Sequence, residues 1–247
     1  MPKIKIAAVE YLNTAPFIWG IEQSEISENV ELILDYPSRC AEMFKKEMVD
    51  IALIPVGALS EVNSYRVITD YCIGCDGEVA TVLLVGDHPV ESIKTVYLDY
   101  QSRTSVKLIQ ILFGHYWNQK VDFIRAEKGY ENKIGGNVAG LIIGDRAFNA
   151  LEKYPYVYDL GWHWREYTAL PFVFALWVSG KKVGSDLAEK LNNALKMGIA
   201  NIDKLEMEFH GLSKAGVRQY FEENIDYFFD EKKQLALNKF LNYELNY

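Results

Sequence analysis

The stretch KIKIAAVEYLNTAPF, residues 3–17, changes its hydrophobic period once, and that change sets the architecture. Lys3–Val9 reads as a buried strand, and Pro16 then falls near the first turn of a helix, where its missing N–H costs nothing. Reading outward, Val30–Leu34 is a second strand. A helix follows over Ser38–Met48, with Ser38 as its cap and Ala41, Phe44 and Met48 on one face. Asp50–Ile54 is a third strand, followed by a short helix over Val56–Val62. A β-α-β-α-β-α series is the pattern of a parallel sheet covered by helices.

The rhythm then shifts. Arg66–Ile73 and Glu78–Val85 read as long adjacent strands, and a new series starts at Thr95–Leu98. It continues through a helix over Thr104–Trp117 and a strand at Val121–Arg125. Leu141–Ile143, Val157–Leu160 and the nearly unbroken apolar run Phe172–Ser179 supply further strands. Asp186–Met207, Lys214–Glu223 and Glu231–Leu245 carry apolar residues at helical spacing. The expected fold is α/β and two-lobed, with residues 1–86 plus 173–247 in lobe one and 87–172 in lobe two. The chain would cross between lobes near Thr81 and Phe174. Such a layout places a ligand cleft between the lobes, at the C-terminal ends of the strands.

Composition fits a globular chain with a full core: of 247 residues, 49% are hydrophobic and 24% charged. The formal net charge of −8 argues against nucleic acid or an anionic membrane as partner, since both call for a basic face. No run approaches the ~20 apolar residues of a membrane span. The apolar run Ile6–Val9 is too short for a signal-peptide core, so a cytoplasmic location is expected. Three cysteines, Cys40, Cys72 and Cys75, are too few for a disulfide framework.

Several clusters carry possible chemistry. Asn13 either aims its amide into the cleft or simply opens a helix with Thr14. Ser102-Arg103-Thr104-Ser105 opens a lobe-two helix, and three hydroxyls with one Arg exceed what a cap needs. Free N–H groups and the helix dipole there make a carboxylate or phosphate seat, with Arg103 adding charge from the side. Ser38-Arg39-Cys40 begins the matching helix of lobe one, either as a second anion seat or as a plain Ser cap. Two facing seats would suit a dicarboxylate. Asp145, in Gly144-Asp145-Arg146, is read mainly as a cap, at a strand end where cleft residues gather. Trp162-His163-Trp164 reads as wall packing around the only histidine considered for proton transfer. Cys72 and Cys75 have redox or half-zinc spacing but lack a second pair, which favours buried thiols. The chain has no P-loop, GxGxxG, HExxH or GxSxG, which counts against nucleotide cofactors, zinc hydrolysis and serine hydrolysis.

Six stretches in order, YLNTAPF (11–17), DIALIPVGAL (50–59), GEVATV (77–82), LDYQSRTS (98–105), IIGDRA (142–147) and LPFVFALW (170–177), resemble the chorismate dehydratases of the futalosine route to menaquinone. The resemblance implies a type II periplasmic-binding-protein-like fold. It also implies a cofactor-free, metal-free hydro-lyase converting the dicarboxylate chorismate to 3-[(1-carboxyvinyl)oxy]benzoate. Carried over by position, Asn13 is the polar cleft residue, Thr81 stands where the family usually has Ser, and Thr104-Ser105 keep the carboxylate seat. Glu10, Asp145 or the substrate's own side-chain carboxylate would take the proton. Two other readings stay open on this scaffold: a 1,4-dihydroxy-6-naphthoate synthase-like enzyme of the same pathway, and a solute-binding protein for a small carboxylate.

Overall fold

The computed structural model describes residues 3–181, 183–205, 207–209 and 212–243. The opening series forms as its periods dictate: β1 (Ile4–Val9), α1 (Ala15–Gln23, Pro16 in its first turn), β2 (Val30–Asp35), α2 (Pro37–Lys45) and β3 (Ile51–Pro55). A 3-10 segment, Val56–Glu61, leads to β4 (Arg66–Cys75). The chain then builds β5 (Val82–Gly86), β6 (Thr95–Leu98), α3 (Thr104–Ile111), β7 (Asp122–Arg125), β8 (Val138–Ile143), α4 (Arg146–Lys153), β9 (Tyr156–Asp159) and α5 (Leu160–Thr168). It returns through β10 (Phe172–Ser179) to α6 (Ser185–Ile199), α7 (Lys214–Gln219) and α8 (Glu231–Leu241).

Two five-stranded sheets result, ordered β2-β1-β3-β10-β4 and β7-β6-β8-β5-β9. Each has one strand antiparallel to both its neighbours in fourth place: β10 against β3 and β4, β5 against β8 and β9. These are the strands by which the chain enters the second sheet and re-enters the first. Strand β5 therefore belongs to the second sheet, whereas a boundary at residue 86 assigns it to the first.

The reason lies in residues 76–81, of which sequence periodicity reads 78–81 as strand. Gly77 sits at φ +134° and Ala80 at φ +61°, so the segment bends instead of pairing. Asp159 fixes the bend: its carboxylate accepts the N–H groups of Val79 and Ala80 and also caps α5 through Gly161 and Trp162. The run around Trp162-His163-Trp164, read only as an aromatic cluster, is this capped helix.

Helix α1 crosses α6 at two glycines. A Cβ on Gly20 would lie 2.1 Å from the Ala194 carbonyl oxygen, and one on Gly198 would lie 1.9 Å from that of Pro16. The first C-terminal helix stops at Ile199, short of its expected end near Met207, and the expectation over position 206 lies outside the described residues. The last ends at Leu241, and positions 244 and 245 are likewise outside. Between α7 and α8, residues 226–229 lie along the free edge of β4, exchanging backbone bonds with Asp70, Cys72 and Gly74. Lys233 clamps this segment from α8, its buried ammonium donating to Asp226 and to the Phe228 carbonyl. Among the described residues no helix is long and apolar enough to cross a membrane.

Candidate functional site

A cavity lies between the two sheets, with about 500 Å³ of space unfilled by atoms, its open mouth included. Its walls come from the C-terminal ends of parallel strands: Val9 of β1, Pro55 of β3 and Ile143 of β8, with the loops that follow them. The polar lining is Tyr11, Asn13, Thr81, Ser102, Thr104 and Ser105; the remainder is apolar side chain, Pro and Gly. No carboxylate, ammonium, guanidinium or imidazole lines it among the described residues.

Each polar group is held by a local device. Asn13 follows β1 in a 3-10 turn, its Oδ1 accepting from the Thr14 hydroxyl at 3.1 Å and its carbonyl accepting from the Tyr227 hydroxyl at 2.9 Å. Thr81 ends the bent crossing, buried, its hydroxyl 3.3 Å from the Val79 carbonyl and 2.9 Å from the Tyr220 hydroxyl. At the start of α3 the Ser102 hydroxyl accepts the Ser105 N–H at 3.0 Å. The Thr104 hydroxyl accepts from the Gly57 N–H at 3.0 Å and donates to the Phe174 carbonyl at 2.9 Å, tying α3 to the first sheet. Gly57 is required for that approach, because a Cβ there would lie 2.8 Å from the Arg103 carbonyl. The dipole-positive end of α3 thus faces the cavity with the Ser105 hydroxyl beside it.

Tyr11 forms a wall whose position two other residues dictate. Its ring covers Gly144, which sits at φ +63° and whose Cβ would be 2.6 Å from that ring. Its hydroxyl donates to Gln101 at 2.7 Å, and Arg146 donates to the same oxygen at 2.8 Å while pairing with buried Asp99 at 2.5 Å. Burial pushes the Tyr11 phenol up, aided by the Asp99 charge, so it stays protonated.

Asn13, Thr81, Thr104 and Ser105 therefore face one cavity. Five other sequence candidates do not. Glu10 is exposed outside it. Ser38 is not a cap: Tyr36 holds that place and Pro37 is the first helical residue. No anion seat exists at α2, because Pro37 lacks an N–H, Ser38 donates its own to the Gln101 carbonyl, and Arg39 and Cys40 donate theirs to Tyr36. The Arg39 guanidinium is on the surface with Glu42 at 2.8 Å and Asp35 at 3.8 Å. Arg103 turns away from the cavity to Glu61 at 2.6 Å. Asp145 caps nothing in α4, and its carboxylate accepts the Leu12 N–H at 2.9 Å, joining the loops after β8 and β1.

Two tyrosines behind the cavity, Tyr220 and Tyr227, escaped the sequence reading. Tyr220 opens a π-helical turn, Tyr220–Asn224, that continues α7. Sequence periodicity marked it only as one apolar position of a helix. His163 sits among Tyr116, Trp117 and Tyr158, and burial lowers its pKa. Cys72 and Cys75 are buried free thiols, and burial pushes the Cys40 thiol up to about 12.

A family model described as menaquinone biosynthesis matches residues 4–245. Among solved structures, protein AF1704 from Archaeoglobus fulgidus aligns over 97% of this chain and 95% of its own with a TM-score of 0.77 at 14% identity. The Candida albicans CA3427 gene product, described as having the generic periplasmic binding protein fold, aligns over 98% and 89% with a TM-score of 0.70 at 11% identity. An ABC transporter structure from Parabacteroides distasonis aligns over 98% and 91%, with a TM-score of 0.64 at 17% identity. At these identities the likeness is one of fold: two α/β lobes around a cleft.

Proposed function

Since the chain belongs to the menaquinone-biosynthesis family, we propose that its cavity dehydrates chorismate to 3-[(1-carboxyvinyl)oxy]benzoate. The observation that carries this reading is a cavity with an amide, hydroxyls and a helix N-terminus but no protein base. A reaction whose substrate supplies its own base and its own driving force suits such a site. Loss of the ring hydroxyl and the neighbouring ring proton aromatises the ring. The proton passes to the substrate's side-chain carboxylate, the C–H electron pair enters the ring, and the C–O bond breaks to release hydroxide. The proton and the hydroxide together make up the water.

The protein then has three tasks: to hold the acid, to stabilise the departing oxygen and to exclude water. The start of α3 with Ser105 takes one carboxylate. Asn13 and Thr81 donate to the leaving hydroxyl, where negative charge grows. Of the three bases considered for the proton, Glu10 is outside the cavity and Asp145 is engaged with Leu12, which favours the substrate's carboxylate.

Purified protein incubated with chorismate should give an ultraviolet-absorbing aromatic product without added metal or cofactor. Binding without product would support a solute receptor. Neither binding nor product would support the 1,4-dihydroxy-6-naphthoate synthase-like reading.

A further inference from the structure

We propose that Tyr220 is a positioning residue for the elimination, its phenol directing the Thr81 hydroxyl at the departing oxygen. The inference rests on the dehydratase reading. Tyr220 comes from the C-terminal helices, which carry none of the stretches that bear the family resemblance. Its hydroxyl is 2.9 Å from Thr81 Oγ1. The ring itself is buried, edge-on to Phe148 of α4 at 5.2 Å. It does not line the cavity, so it acts through Thr81, which does.

Counting donors gives the direction of the chain. The Thr14 hydroxyl donates to Asn13 Oδ1, which leaves the Asn13 NH₂ as the end that faces outward. Tyr220 has a single proton, and burial pushes its pKa up, so it remains a donor. That proton goes to Thr81 Oγ1. Thr81 has one proton in turn, held only by a long 3.3 Å bond to the Val79 carbonyl. A ligand hydroxyl entering the cavity can take that proton while the shorter bond to Tyr220 persists. A hydroxyl that accepts one hydrogen bond is a stronger donor of the next, so Tyr220 sharpens Thr81 as charge develops on the leaving oxygen.

Kinetics on chorismate with wild type, Tyr220→Phe, Thr81→Val and the double variant test this. Tyr220→Phe keeps the ring and its contact with Phe148 and should leave Tm within a few degrees. We expect kcat to fall about 10–100-fold and KM to move by less than about threefold, the pattern of an interaction made mainly in the transition state. The double variant should be no slower than Thr81→Val alone, because Tyr220 works through that hydroxyl. Unchanged kcat in Tyr220→Phe, or losses that multiply in the double variant, overturns the inference. Thr81→Val alone, if fully active, overturns it as well, whatever the folding of the Tyr220 variant. An inactive wild type overturns the dehydratase reading and this inference with it; an active wild type beside an indifferent Tyr220→Phe overturns the inference alone.

Discussion

Asn13 was legible in the sequence as one of two things, a cleft amide or a helix start; it lies within the 3-10 turn after β1 and is among the residues that line the cavity. Asn13→Ala should lower kcat about 100-fold or more with a much smaller change in chorismate affinity, read by steady-state kinetics beside calorimetric binding. Glu10→Gln and Arg103→Ala should leave kcat/KM within about twofold, as surface changes away from a site do. A large loss in either would put a side chain back in the chemistry that the structure places outside the cavity. His163 makes a prediction of opposite kind. Its folded pKa lies below the ordinary value of 6.5, so the unfolded chain takes the proton first as pH falls. Its contribution is therefore full above that value and lost as pH drops from there toward the folded pKa. His163→Phe should flatten the wild-type fall in Tm across pH 7 to 5, and an identical fall in both proteins would count against it.

Several strands followed their periods closely. Strands β6 and β10 have the bounds that their apolar runs predict, and β1 differs by one residue. Two misreadings fall where a distant group intervenes. Residues 78–81 have strand composition, but the Asp159 carboxylate, some 80 residues on, holds their N–H groups in a bend. Helix α2 has a capping serine in sequence, but Tyr36 and Gln101 carbonyls take the N–H groups that an anion would need. Asp159→Ala should thus cost more than an ordinary cap, about 2 kcal/mol or more in chemical denaturation, since it orphans donors on two segments at once. The α1–α6 crossing is equally unforgiving. Gly198→Ala puts a methyl onto the Pro16 carbonyl and should destabilise by about 1–3 kcal/mol, or more if the helices separate. A Tm equal to wild type would show that the crossing is looser than described.

At the scale of the molecule, the lobes meet through few but specific bonds: Tyr11 and Ser38 to Gln101, Leu12 to Asp145, Gly57 and Phe174 to Thr104, and Glu61 to Arg103. A ligand held by both lobes should stabilise the folded chain by mass action, about 2.7 kcal/mol at a hundredfold excess over Kd, seen as a rise in Tm with chorismate or a product-like dicarboxylate. Three of the candidate residues, Ser38, Arg103 and Asp145, take part in this lobe contact. Their ambiguity in the sequence has one physical source. A charged or capping residue at a helix start has the same local signature whether its partner is an anion or another loop, and only the tertiary fold supplies the partner. The sequence by itself determined the alternating α/β layout and the cleft at the strand ends, because hydrophobic period and chain order fix which loops share one end of a parallel sheet; Asn13, Thr104 and Ser105 were among its candidates, and Thr81 entered through the family resemblance. Tertiary structure alone decided that β5 joins the second sheet, that the cavity lining carries no carboxylate among the described residues, and that Tyr220 and Tyr227 stand behind it. Those outcomes depend on contacts between segments from about 80 to more than 200 residues apart, which no local pattern records.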